Sequence, residues 1–269
     1  MPGSAQDEVG TAVDKALSIM ELVARAPAPL TLAAIAAHWG MPKPTAHRLV
    51  QILVRRGYVR QDLDRLYLAG PRTLELGRFA RARFDYARVA RPLMTELQLE
   101  TGKTVQFGTS DDFEVRCVEQ IEGGGALRMA SQVGQVLDQH TTAIGKAVLA
   151  FSEPTRREEF LAREPYTRKT TKSIVTRRAL VRRLDLASEQ GYAIDEEEDQ
   201  PHVISIAAPV FSDQVRFALG AVSLAAPDFE MVRADAEALA PQVMGVAARI
   251  SIALDTAVSD LPKPHRVYV

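Results

Sequence analysis

Apolar residues recur every three or four positions in three segments near the start of the chain, which is the spacing of helices that bury one face. Thr31 is suited to cap the second helix, and Gly40 allows a tight turn before the third, because glycine adopts positive φ at little cost. Two short runs with strand alternation then flank a polar tip. Together these patterns predict a winged helix-turn-helix. The predicted helices are residues 11–26, 32–38 and 42–56, and the predicted strands are residues 58–61 and 66–68.

The third predicted helix carries a polar face opposite its apolar face. Its side chains can donate to phosphates and to the edges of guanine and adenine, so we expect this helix to enter the major groove of DNA and the wing to reach the adjacent backbone or minor groove. A trihelical protein-interaction module with a solvated polar face is the alternative. The predicted DNA-contacting residues are Thr31, Lys43, Pro44, Thr45, His47, Arg48, Gln51, Arg60 and Arg65.

A basic, partly apolar segment follows the wing and predicts a helix over 71–90 that links two domains. Packing against a dimer partner fits its modest apolar content better than contact with a membrane. Beyond it, strand and helix patterns mix without a regular βαβ repeat, which favours an α+β domain with a largely antiparallel sheet. The predicted strands are 105–109, 115–121, 127–133, 192–195, 203–211 and 217–224, and the predicted helices are 91–102, 143–151, 155–161, 177–190 and 231–257.

Composition and charge agree with two domains that have different tasks. The 269 residues, 46% hydrophobic and 25% charged, are typical of a soluble chain of two domains. The net charge of −1 argues against a protein that coats nucleic acid by charge alone, but residues 1–85 carry +4 and the remainder −5. A single cysteine, Cys117, with no visible secretory signal and no long apolar run, predicts a cytoplasmic protein with no membrane partner.

Several motifs together resemble the IclR family of bacterial transcription regulators. In the first half these are TAVDKALSIMELV, LTLAAIAAHWGMPKPTAHRLVQILVRRGYV and LYLAGPRTLELG, and in the second half HTTAIGKAVLA, EQGYAIDEEE and ISIAAPVF. The resemblance spans residues 9–257 and implies a winged helix-turn-helix, a linker helix and a GAF-like effector domain. It divides the chain into a DNA-binding domain at 9–70, a linker at 71–90, an effector-binding and oligomerisation domain at 91–257 and a tail at 258–269.

A ligand site is expected where the helix at 143–151 begins, because free backbone N–H groups and the positive end of the helix dipole attract anions. Backbone groups of Ala143 and Ile144 belong to this site. The resemblance adds contacts from Asp195, Ser205 and Ser223. Ser205 stands where relatives often have cysteine, and Ala225 stands where some have a second serine.

These departures favour a larger, aromatic acid over a small organic acid, with Met129, Leu137 and Ile144 as an apolar wall. Both ligand classes stay open. The competing interpretations are local ones: Ser205 and Ser223 bond within their strands, and Asp195 starts a solvated acidic run at 196–199. Similarly, Lys146 fits a surface or structural salt-bridge residue better than a Schiff-base lysine, and Cys117 fits a small buried hydrophobe.

The sequence therefore predicts an effector-responsive regulator, repressor or activator, of a catabolic or metabolic operon. Its expected partners are double-stranded operator DNA, a small organic acid and further copies of itself. A homodimer follows from the few base pairs one winged helix can read, and the resemblance implies a dimer of dimers. No cofactor, metal site or catalytic residue is predicted, since the chain has no GxSxG, HExxH or CxxC motif. An enzyme carrying a winged helix and a ligand-independent architectural protein are the alternatives.

Overall fold

The three N-terminal helices and the hairpin form one unit with its own core. The computed structural model describes residues 11–83, 85–111, 114–124, 132–212 and 215–259, which fall into two compact units that divide between residues 83 and 85. The elements of the first unit are α1 (Ala12–Arg25), α2 (Leu32–His38), α3 (Lys43–Arg55), β1 (Val59–Gln61), β2 (Tyr67–Ala69) and α4 (Pro71–Arg83).

Local signals fix the elements of this first unit as the sequence predicts. The Thr31 side chain accepts a hydrogen bond from the backbone N–H of Ala34 and caps α2. Gly40 has a φ of +57° in the turn before α3. Apolar side chains of α1, α2 and α3 meet β1 and β2 in a single core, which includes Ile19, Ile35 and Leu49. The arrangement is a winged helix-turn-helix, and β1 and β2 pair as an antiparallel wing.

The second unit is built on a six-stranded antiparallel sheet. The order of strands is β5-β4-β3-β8-β7-β6. Its elements are α5 (Tyr86–Thr101), β3 (Thr104–Asp111), β4 (Glu114–Ile121), β5 (Val136–Leu137), α6 (Ala143–Ala150), α7 (Pro154–Leu161), α8 (Arg177–Gln190), β6 (Ala193–Glu196), β7 (Val203–Ser212), β8 (Val215–Pro227), α9 (Arg233–Ala238) and α10 (Ala240–Ser259).

Helices cover the sheet on both faces. On one face α6 and α8 pack over the sheet and share a core with Val115, Ala207 and Ala221. α5 and α10 contact one another and the strands β3 and β7. Since neighbouring residues of a strand point to opposite faces, the buried Ile206 faces away from the core that holds Ala207. The α+β class with an antiparallel sheet agrees with the sequence prediction.

Two predicted helices are each divided in the structure. The linker helix predicted over 71–90 is instead the whole of α4 and the start of α5, because Asp85 leaves helical geometry and its side chain caps α5 by accepting from the N–H of Arg88. The last helix, predicted over 231–257, breaks at Leu239 into α9 and α10. Pro241 explains this break, since proline has no N–H to continue the ladder of the preceding turn.

The strand predicted over 127–133 is not formed where it can be checked. Residues 125–131 lie outside the described residues, and residues 132–135 make a turn in which Gln135 N–H donates to Gln132 O. β4 pairs with β3 on one side, and the strand on its other side is β5, which begins later, at Val136. No helix among the described residues is long and apolar enough to cross a membrane.

Candidate functional site

The exposed face of α3 holds most of the predicted DNA contacts. Lys43, Pro44, His47 and Arg48 are exposed, and Thr45 and Gln51 are half-buried. The opposite face of α3 packs into the core, which fixes the orientation of the helix. The side chains of Lys43, His47, Arg48 and Gln51 make no hydrogen bond or ion pair with the residues that the structure describes. Their donors are therefore available to a partner.

The wing presents two further cations beside an apolar tip. Arg60 and Arg65 are exposed, and Arg65 has a φ of +61° in the turn between β1 and β2. The side chain of Asp62 holds that turn by accepting hydrogen bonds from the N–H groups of Asp64 and Leu66. Leu63, at the tip, is fully exposed. In the sequence it stands out only as an apolar residue within a polar turn. Thr31 is also exposed, and its hydroxyl accepts the capping hydrogen bond of α2.

A small cavity of about 30 Å³ lies in the second unit between the sheet and the start of α6. The structure brings together here six of the seven residues predicted to contact an effector. The seventh, Met129, lies outside the described residues. The cavity is lined by Gln106, Leu137, Thr142, Ala143, Ile144, Asp195, Asp199, Gln200, Val203, Ser205, Ser223 and Ala225.

The floor of the cavity follows from the register of the sheet. Asp195 on β6 lies opposite Ser205 on β7, which lies opposite Ala225 on β8. Two residues before Ala225 on the same strand, Ser223 lies opposite Gln106 on β3. Because all of these side chains line the same cavity, two neighbouring rows of the sheet form a floor that is mostly polar.

The roof is the first turn of α6. Thr142 caps the helix, since its hydroxyl accepts from Gly145 N–H at 2.9 Å and donates to Asp138 O at 2.7 Å. A Cβ on Gly145 would lie 2.4 Å from that same carbonyl, so only glycine allows α6 to pack this closely. The N–H groups of Ala143 and Ile144 have no hydrogen-bond partner among the described residues. They are the free donors of a helix N-terminus that lines the cavity.

Two side chains at the floor carry polar atoms that the fold does not satisfy. Ser223 is 1% exposed, and its hydroxyl has no hydrogen-bond partner in the described structure. Oδ1 of Asp195 accepts from the N–H groups of Glu198 and Asp199 at 2.7 and 3.4 Å, whereas Oδ2 has no partner among the described residues. Of these two atoms the Ser223 hydroxyl is the fully buried one, and a buried polar group without a partner is costly. The local bonding that would have explained Ser223 without a ligand is absent from the residues described.

A buried ion pair lies behind Asp195. Nζ of Lys146 contacts Oε2 of Glu198, and both side chains are almost fully buried. Lys146 is thus a structural ion-pair residue, one of the two roles expected of it, and it is not at the surface. Likewise, the expectation of a solvated acidic run is wrong for Asp195 and Glu198, which are both 3% exposed. The sequence offered no signal for this pairing, since the two residues are 52 positions apart.

Burial sets the protonation of Asp195. Loss of hydration raises the pKa of its carboxyl from the usual value near 4 to about 7, Lys146 opposes that rise, and Glu198 adds to it. Loss of hydration also raises the pKa of Glu198. Asp199, at the rim, is instead held by the hydroxyl of Thr141 at 2.7 Å and by Nζ of Lys169 at 2.8 Å.

Cys117 lies on the strand β4 and has the environment of a structural residue. It is fully buried, and burial raises the pKa of its thiol to about 11. Since the thiolate is the reactive form, this cysteine is inert at neutral pH, as expected of a small buried hydrophobe.

Two family models match the chain. The IclR helix-turn-helix domain matches residues 12–63, and the C-terminal domain of bacterial transcriptional regulators of the IclR type matches residues 79–252. The HTH-type transcriptional regulator XynR of Escherichia coli is 33% identical over 213 residues, which cover 79% of this chain and 84% of XynR. The HTH-type transcriptional regulator BhcR of Paracoccus denitrificans is 31% identical over 252 residues, which cover 93% of this chain and 90% of BhcR.

Solved structures show the same fold. The crystal structure of the Thermotoga maritima IclR superposes with a TM-score of 0.61 and 26% identity, and the match covers 90% of this chain and 98% of that one. The relatives are named as transcriptional regulators, which argues against the enzyme alternative.

Proposed function

This chain belongs to the IclR family of bacterial transcriptional regulators, and from that membership we propose that it controls a catabolic or metabolic operon in response to a small organic acid. Residues 9–70 bind operator DNA, residues 91–257 bind the effector and other copies of the chain, and residues 71–90 connect the two, ahead of a tail at 258–269. A coupling free energy of about 1–3 kcal/mol between the two sites changes operator affinity by roughly 5- to 150-fold.

DNA recognition is assigned to α3 and the wing. The support is a row of exposed donors that the fold leaves without partners, on a helix whose other face is fixed in the core. Bases are read by residues of the first turns, with Arg48 as the principal reader, and the phosphate backbone is held by Lys43, Arg60 and Arg65. Pro44, Thr45, His47 and Gln51 complete the reading face, and Thr31 supports it as the cap of α2.

The test of DNA recognition is the affinity for an operator selected from a random DNA library. Arg48→Ala is expected to weaken binding by about 1–3 kcal/mol and to relax the preference at one base pair. Arg178→Ala is the matched control, because Arg178 is also an exposed arginine and lies on α8. Equal affinity of wild type and Arg48→Ala would remove Arg48 from the reading face.

Self-association is part of the same proposal. One winged helix reads too few base pairs to find an operator among the competing sites of a genome, so two copies bind a near-palindromic operator. Light scattering with and without operator measures the number of chains bound. A single chain bound at a full-affinity operator would contradict this part.

Effector binding is assigned to the cavity under α6, and the unpartnered hydroxyl of Ser223 is the observation that carries it. The free N–H groups of Ala143 and Ile144 receive the carboxylate of the effector, and Ser205 and Asp195 receive its remaining polar groups. The mostly polar floor of the cavity favours a small aliphatic acid over the aromatic acid that the sequence favoured. Leu137 supplies an apolar wall.

A thermal-shift screen tests the pocket. We expect aliphatic acids of two to four carbons to raise the melting temperature of the full-length protein and to change operator affinity. Benzoate and 4-hydroxybenzoate are the aromatic controls. No response to any acid, in the protein or in its operator complex, would favour the ligand-independent architectural alternative.

A further inference from the structure

The proposed effector brings a carboxylate into a cavity that already holds the carboxyl group of Asp195. Asp195 is 3% exposed and lines the same small cavity as the free N–H groups of Ala143 and Ile144. Like charges at close range in a buried site repel each other strongly, because little water is present to screen them. Binding an acid here therefore requires that the second negative charge be neutralised.

The cations around Asp195 do not supply that neutralisation. Among the cations, Lys146 on α6 has the largest electrostatic effect on the carboxyl of Asp195. However, Lys146 is paired with Glu198, so these two groups together carry no net charge. Arg183, on α8, acts on that same pair. Two cations, Lys146 and Arg183, thus face the two carboxyls of Glu198 and Asp195, and no positive charge is left over for a further carboxylate.

The other elements that pack against β6 add no free cation at Asp195. The β7 residues that pair with β6 are apolar, apart from Ser205. On α9, Arg233 pairs with Glu196 at 3.2 Å and with Glu237. At the rim, Lys169 pairs with Asp199 and Asp138, and Asp199 itself adds a negative charge near the cavity.

We propose that Asp195 takes up one proton when the effector binds and then donates a hydrogen bond from Oδ2 to it, so that the pocket selects small hydroxy or oxo acids over amino acids. This inference rests on the proposed effector site. Oδ2 has no partner among the described residues, and a neutral carboxyl can donate to a hydroxyl or carbonyl oxygen of the ligand. An ammonium group would instead require an ionised Asp195.

Binding a hydroxy or oxo acid and binding an amino acid differ in their free-energy cost. The pKa of Asp195 is already raised to about 7 by burial, so the proton is nearly free of cost at neutral pH. An amino acid would bring a further charged group out of water, and desolvation of an ammonium ion costs several kcal/mol before any pairing is regained. Proton uptake is therefore the favoured route.

The direction of the pH dependence follows from this. Below about pH 6 Asp195 is protonated before binding, and the affinity for the acid is constant. Above pH 7 the free protein must gain a proton, so affinity falls by up to tenfold for each pH unit.

Calorimetry on the full-length protein tests the inference with matched probes: lactate and alanine, then glycerate and serine. Each is titrated at pH 8 in two buffers of different ionisation enthalpy, which gives the number of protons taken up. We expect close to one proton for lactate or glycerate, and affinity at least tenfold above that of the matching amino acid. For Asp195→Asn we expect no proton uptake and an affinity that is constant between pH 6 and pH 8.5. Asp185→Asn, a change at an exposed residue of α8, is the control and should behave as wild type.

The outcomes separate this inference from the effector site itself. An acid that binds without proton uptake, an amino acid that binds better than its hydroxy counterpart, or uptake that persists in Asp195→Asn would each overturn the inference and leave the effector site standing. If none of the probes binds and none changes operator affinity, the effector site fails, and the inference fails with it. The wild-type measurement decides the matter even where the variant does not fold.

Discussion

Ser223 illustrates how a single side chain can favour binding at the expense of stability. Its hydroxyl is buried without a partner, which costs about 1–3 kcal/mol in the free protein. We expect Ser223→Ala to raise the melting temperature of the free protein and to weaken effector binding severalfold, as measured by thermal unfolding with and without the acid.

The control for Ser223→Ala is Ser152→Ala. Ser152 is also buried, but its hydroxyl donates to Leu149 O at 2.9 Å, so its removal is expected to lower stability by about 0.5–1.5 kcal/mol. A loss of stability in both variants, with unchanged effector binding, would show that Ser223 is a structural residue.

Asp195 makes the stability of the free protein depend on pH. Its folded-state pKa of about 7 lies above that of the unfolded chain, near 4, so between these values the folded protein keeps a proton that the unfolded chain has released. The free energy of unfolding contributed by this group therefore falls as pH rises from 4 to 7 and stays low above 7.

The corresponding variant is Asp195→Asn, which cannot ionise. Relative to wild type it is expected to gain on the order of 2–4 kcal/mol in stability between pH 4 and pH 8. Urea unfolding at the two pH values measures this. An equal difference between wild type and variant at both values would contradict the raised pKa.

At the scale of elements, α6 is placed by glycine as much as by its apolar residues. A Cβ on Gly145 would lie 2.4 Å from Asp138 O and 2.5 Å from Gln139 Cα, which are backbone atoms that cannot move aside cheaply. We expect Gly145→Ala to lose more than 1 kcal/mol of stability and to close the effector cavity. Gly245→Ala, on α10, is the control, since a Cβ there meets nothing within 4 Å and should stabilise by about 0.5–1 kcal/mol. Denaturant unfolding of both variants checks the pair.

The sequence predicts elements well where the signal is local. Thr31 caps α2 and Gly40 forms the turn before α3, as each was expected to do. It predicts them poorly where a cap interrupts an apolar pattern, as at Asp85, because periodicity is insensitive to one non-helical residue.

The effector site was only partly predictable for a different reason. The resemblance pointed to Asp195 and Ser223, but Gln106 was missed because its place beside Ser223 depends on the pairing of two distant strands. The pairing of Lys146 with Glu198 is equally non-local. Local pattern therefore gives the elements, and only register and packing give the charges that surround the site.

At the scale of the whole molecule, the two units differ in where their charged groups lie, and each has its own hydrophobic core. The basic first unit keeps its donors exposed on α3, whereas the second unit buries the ion pair of Lys146 and Glu198. Each unit has its own hydrophobic core, so a change inside the cavity can be made without disturbing the winged helix directly. This allows sensing and DNA binding to be separated by mutation.

Ala225→Leu is designed to make that separation. Ala225 is 2% exposed and lies in the floor of the cavity, so three additional carbon atoms would fill a space of about 30 Å³. Overpacking costs about 1–3 kcal/mol in the second unit, but the reading face on α3 is untouched. The variant should bind operator with wild-type affinity and should not respond to an acid that shifts the wild type. Ala162→Leu, at the exposed end of α7, should respond normally. Fluorescence anisotropy of labelled operator, with and without the acid, measures both quantities, and a full response from Ala225→Leu would mean that the effector binds elsewhere.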